Sequence, residues 1–173
     1  MNIFFLNKKP GRCARWHCDK HVVKMILEST QILYTCHHTN GGTELVNSQA
    51  PLCLTTNKRG YKNHSPNHPS VKWARSSMAH YIWLCHLGLA LVKEHTHRFS
   101  PKKPHSCLVH LEWLITNHPP GLLEKSWLSD PTPAMPNEYK VEGNVQRSYI
   151  NYYQGSKNHM LKWSYRHVPH VFV

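Results

Sequence analysis

Acid is what this sequence has least of. Aspartate and glutamate number 9 against 21 lysines and arginines, so the formal charge is +12 over 173 residues. That balance suits a polyanion, and nucleic acid is the commonest polyanion inside cells. The plainer reading is a surface charged for solubility. Charged residues of both signs make up only 17%, too few for a typical disordered tail. No apolar run approaches the roughly 20 residues needed to span a bilayer. The opening MNIFFLNKKPGR reaches a lysine pair too soon to provide the about 7–15 apolar residues of a secretory signal. An intracellular protein without a membrane partner is therefore expected. The six cysteines, at 13, 18, 36, 53, 85 and 107, contain no C-x-x-C pair. A zinc ribbon or thioredoxin-type motif is thus excluded, and buried free thiols are expected. No repeat of fixed period is evident, and strand signals are weak throughout.

What remains is helical periodicity. The sequence predicts a mostly α protein: a single compact helical domain over 1–173 with long irregular loops. MNIFFL reads as an extended, pinned apolar segment, broken by Pro10 and Gly11. One helix is expected from about Cys13 to His37, with Val22, Met25, Ile26, Ser29, Ile32 and Leu33 at three- and four-residue steps. Residues 40–70 read as a long loop, a length that is often functional. A second helix should start at Pro69 or Ser70 and run to about Phe99. A third is expected over His105–Asn117 and a fourth over 143–158, where Val145, Tyr149, Tyr152 and Tyr153 share a face.

The first long helix carries the most informative polar group, in the run CDKHVVKMILES. His21 and Glu28 are seven apart, two turns along one face, with Lys24 between them. Glu28 is the lone acid from Lys20 through Thr43. The plain reading is an intrahelical Lys24–Glu28 pair worth a few tenths of a kcal/mol. The functional reading is an acid/base or cation-stabilising carboxylate. A third possibility uses the same stretch differently. Cys13, His17, Cys18 and His21 form C-x3-H-C-x2-H, all zinc-competent ligands. Cys18 points about 100° away from His17 around a helix, so a closed site would need further ligands from Cys36-His37-His38 or from His64 and His68.

D-x-H with a glutamate seven residues after the histidine, on the first long helix behind an N-terminal segment, resembles the phage-type pyrimidine-dimer DNA glycosylases. Two more stretches fit in order. NHPSVKWARSSMAHYIWLCHLGLALVKEHTHRF is similar to that family's central helix, ending in Glu94, Arg98 and Phe99. YINYYQGSK is similar to its aromatic C-terminal segment, with Tyr152, Tyr153, Gly155 and Lys157. The run HCDKHVVKMILE also resembles proteins of tailed phages and large DNA viruses.

The resemblance implies a small helical base-excision enzyme that also acts as an abasic-site lyase, needs no cofactor, and works on DNA, most readily duplex DNA, as a monomer in the host cell of a virus or phage. Its nucleophile would be the N-terminal α-amine, here that of Met1. An unperturbed α-amine, with a pKa of about 7.7–8.0, keeps a neutral fraction at pH 7. Glu28 would stabilise the cationic sugar intermediate and His21 would position sugar or phosphate. The family exposes a small residue after methionine removal. Asn2 is too bulky for ready trimming, so the amine is shifted by one residue. A glycosylase using Glu28 and water, or a scaffold that binds without catalysis, remain alternatives. The binding alternative is a basic nucleic-acid-binding protein associated with a viral genome or virion. Expected DNA contacts are Arg12, Arg15, Lys20, Lys24, Lys58, Arg59, Lys62, Arg75, Arg147, Lys157, Lys162 and Arg166. Tyr149, Tyr152, Tyr153 and Trp163 are candidates for stacking on bases or for the core.

Overall fold

A computed structural model describes residues 2–124 and 128–173. It places seven α-helices and no strand among them: α1 (Pro10–Trp16), α2 (Asp19–Thr39), α3 (Thr43–Gln49), α4 (Pro69–Ala74), α5 (Met78–Phe99), α6 (Leu108–Thr116) and α7 (Val145–Gln154). The two long helices, α2 and α5, pack on each other and form the centre, with α1 and α6 also against α5. Val22, Met25, Ile26, Ile32, Leu33 and Cys36 of α2 are buried against Tyr81, Leu84, Cys85, Leu87 and Leu91 of α5 in one continuous core. Each such aliphatic side chain contributes about 1.5–3 kcal/mol when fully buried. Gly88 lets α6 close on α5, because a Cβ there would lie 2.6 Å from Leu111 Cδ2. The segment Ile3–Leu6 is buried, as its composition suggested, and Leu6 N–H turns back to Phe4 O at 2.9 Å.

Two expected helices are each broken in two. The predicted Cys13–His37 helix is interrupted at His17 and Cys18, whose backbones are extended (ψ 135° and 162°). The cause is tertiary. Arg98 of α5 donates through Nη2 to Arg15 O and through Nη1 to His17 O, satisfying carbonyls at the end of α1 with a positive charge. The same guanidinium contacts Asp19 Oδ1 at 3.1 Å, and Asp19 opens α2, where a negative charge is favoured. The predicted Pro69–Phe99 helix stops at Ala74 and restarts at Met78, because the Ser77 side chain accepts from the His80 amide and caps α5. The predicted 40–70 loop contains α3, which buries only Val46 and so carries no periodic signal.

Candidate active site

Glu28 lies midway along α2 and is 8% exposed. Its Oε2 accepts a hydrogen bond from the backbone N–H of Asn2 at 2.9 Å, and its Oε1 lies 3.3 Å from Lys24 Nζ. The plain intrahelical pair therefore exists, but the carboxylate also has other partners. Lys24 is well exposed, and such a pair is worth only a few tenths of a kcal/mol. The Asn2 contact is the more telling, because Asn2 is fixed from several directions. Its Nδ2 donates to Ala134 O, and its Oδ1 accepts from the Ile3 amide and the Tyr149 hydroxyl. Ser70 Oγ, in the first turn of α4, also reaches Asn2 Oδ1 at 3.4 Å. The chain thus enters the protein beside the one carboxylate of the α2 face. Met1, the expected nucleophile, lies outside the described residues.

Glu28 lines a cleft of about 1230 Å³ between α2 and the 52–64 segment, closed at one end by His105–Cys107. Lys24, Lys58, Arg59 and Lys62 line it, so four of the expected DNA contacts share one cleft with Glu28. Its floor comes from a close approach. Gly60, at φ +62°, sits where a Cβ would lie 2.5 Å from the Tyr34 ring, so this turn packs on α2 only as glycine. His68, the cap of α4, feels Glu28 from nearby: burial pushes its ring below the ordinary histidine value and the carboxylate pulls it back up. Cys53 also lines the cleft. Burial pushes its thiol up, but the hydroxyls and amides of Thr55 and Thr56 outweigh burial and bring it down to about 7. Asn2, His68 and Cys53 carry no local motif. Only the fold brings them to Glu28.

His21 goes elsewhere. It is 4% exposed, its Nδ1 bonds with the Tyr153 hydroxyl, and the Phe4 ring lies 4.2 Å from its own. Burial first, then the charges of His17, Lys157 and Lys24, lower it to about 3. A neutral ring sealed under Phe4 cannot meet a sugar or phosphate, so the positioning role expected for His21 is not supported by its placement. Tyr153 and Tyr149 are fully buried, and Trp163 donates its indole N–H to Trp16 O. These three are core residues. Tyr152 is half-buried, stacked parallel to Phe4 with Lys157 Nζ 4.9 Å from its ring centre.

Several expected contacts are also committed elsewhere. Arg166 holds both Glu94 oxygens, at 3.1 and 2.8 Å. Arg75 is half-buried at the end of α4, its charge felt by the buried Cys36 thiol. Arg12, Arg15, Lys20, Arg147 and Lys162 are exposed but do not line the cleft.

The zinc alternative finds no geometry. Cys13 Sγ donates to Phe4 O, with its thiol pushed up to about 12 by burial, and His17 Nδ1 bonds Cys13 O. Among the described residues no three His, Cys, Asp or Glu side chains converge as a metal site, and no helix is long and apolar enough to cross a membrane. All six cysteines are free and buried.

No curated protein and no solved structure matches the chain. The sequence profile of the family described as pyrimidine dimer DNA glycosylase matches residues 1–106, from the pinned N-terminal segment through α5 and so across both walls of the cleft. The chain therefore belongs to the pyrimidine dimer DNA glycosylase family, whose substrate is DNA.

Proposed function

We propose that the protein removes a damaged pyrimidine from duplex DNA by attack of the Met1 α-amine and then cleaves the abasic site. The amine nitrogen would bond to deoxyribose C1′ as the C1′–base bond breaks, the leaving base taking the electron pair and a proton. Loss of the amine proton and opening of the sugar then give a Schiff base. Glu28 would stabilise the cationic sugar in each step and assist the proton transfers. The observation that carries this reading is the Asn2 N–H on Glu28 Oε2 at 2.9 Å, at the edge of a cleft lined by Lys24, Lys58, Arg59 and Lys62. An N-terminal nucleophile needs a carboxylate beside the point where the chain enters, and the cations suit a phosphodiester backbone. The protein would act as a monomer.

Borohydride reduction during incubation with an abasic duplex tests the amine. The expected result is a covalent protein–DNA adduct that disappears when the α-amine is selectively capped. Glycosidic-bond scission in a dimer-containing duplex, with no adduct there or on the abasic duplex, would replace the amine with water as nucleophile. Neither adduct nor scission would leave a basic DNA-binding protein without catalysis.

A further inference from the structure

The cleft is ringed by apolar surface that neither the carboxylate nor the cations require. Val23, Leu27 and Leu52 line it and are 44%, 39% and 50% exposed. Leu54 is 84% exposed and lies in sequence between two cleft-lining residues, Cys53 and Thr55. Single exposed leucines are ordinary on protein surfaces. Here three of the eleven large hydrophobics most exposed among the described residues line one basic cleft, and a fourth, Leu54, sits in sequence between two of its lining residues. Grouping of this kind marks an interaction site.

Leu54 also projects from a held turn. Cys53 N–H donates to Lys58 O at 2.8 Å, Asn57 N–H to Cys53 O at 2.8 Å and Gly60 N–H to Pro51 O at 2.9 Å. Leu52 and Arg59 pair across its base, and Arg59 Nη1 bonds Ala50 O at 2.7 Å. Asn57 takes the left-handed backbone, φ 52°, that closes the turn. The side chain is thus presented on a braced backbone whose turn also carries Lys58 and Arg59. An apolar tip flanked by phosphate-binding charge matches the way proteins part a base step, the leucine filling the space the bases vacate while the cations grip the backbone. An enzyme that works on a base must reach an atom hidden in the stack, so it needs such a device.

From this we infer that Leu54 is a wedge that enters the duplex at the lesion and unstacks it, positioning the damaged nucleotide for Glu28. The inference rests on the DNA-repair reading above and adds the residue that opens the substrate. Leu54 acts through the DNA and touches no reacting atom, so it is a positioning residue.

The test uses the full chain and a duplex carrying one thymine–thymine dimer with 2-aminopurine opposite it. The fluorescence of 2-aminopurine rises when it leaves the stack. Wild-type protein should raise it several-fold. Leu54→Ala should bind the same duplex within about threefold of wild type yet raise fluorescence at least fivefold less, and Leu54→Phe should restore the rise. Because Leu54 is solvent-exposed, Leu54→Ala should melt as wild type does. An unchanged rise with Leu54→Ala, or no rise with wild type, overturns the wedge. Scission of the glycosidic bond is scored separately on the same duplex, because the cleaved thymine stays joined to its neighbour through the cyclobutane ring. If wild type unstacks the probe through Leu54 but breaks no glycosidic bond, the catalytic reading fails and the wedge stands.

Discussion

The first turn and the middle of α2 place acid in opposite settings. Asp19, in its first turn, is sealed by specific partners: Arg98 at 3.1 Å, the Ser164 amide on both oxygens and the Ser164 hydroxyl at 2.7 Å. Glu28, nine residues on, is as well packed but lines an open cleft, with an exposed lysine on one oxygen and the chain's leading backbone on the other. Both carboxylates are mostly buried, so burial does not separate structure from function. What separates them is what lies beyond the carboxylate: at Asp19 it is more protein, whereas at Glu28 it is room for a sugar and a row of cations.

That contrast can be broken most sharply at Arg98. Its guanidinium holds Glu94, Asp19 and the end of α1 with no side-chain exposure. Arg98→Met should cost about 3–5 kcal/mol, because it leaves Asp19 without its counter-charge, Glu94 with Arg166 alone, and the carbonyls of Arg15 and His17 unpaired. At this chain length that corresponds to a fall in melting temperature of roughly 10 °C. Glu28→Gln should melt close to wild type. Equal losses from the two would make Glu28 a structural residue like Asp19.

Acid should act on the buried histidines of the core. His17, His21 and His37 are held near 4, 3 and 4, in each case chiefly by burial. Their folded values lie below the ordinary 6.5, so the unfolded chain binds protons that the folded chain refuses. Stability should therefore fall as pH drops from about 6.5 towards 4, by up to about 1.4 kcal/mol per pH unit for each group. Urea midpoints at pH 7, 6 and 5 measure this, and a constant midpoint would contradict the sealed, neutral state of these rings.

A smaller effect distinguishes cleft cations from remote ones. Lys58→Ala with Lys62→Ala should reduce the slope of log K against log salt for duplex binding by about 2, near 0.9 for each phosphate no longer neutralised. Arg147→Ala with Lys157→Ala, away from the cleft, should leave it within experimental scatter. Equal reductions would extend the DNA footprint over α7.

Much of this architecture was legible in the sequence, and the exceptions share one cause. The stripes of α2 and α5 show because core contacts repeat at helical spacing. The breaks at 17–18 and 75–77 do not: the first depends on Arg98, about 80 residues away in sequence, and the second on a single serine cap. Glu28 stood out as a lone acid in a basic stretch. His21 misled because spacing gives a face but not what covers it, and its cover, Phe4 and Tyr153, comes from both ends of the chain. Asn2 had no signal at all, since its role consists of contacts with α2, α4, α7 and Ala134.

The central claim, that Glu28 serves the chemistry of base removal, is tested most directly by single-turnover excision from a dimer-containing duplex with binding measured on the same oligonucleotide. Glu28→Gln is expected to bind within about threefold of wild type and to break the glycosidic bond at least about 100-fold more slowly. Excision by Glu28→Gln at the wild-type rate would contradict the account.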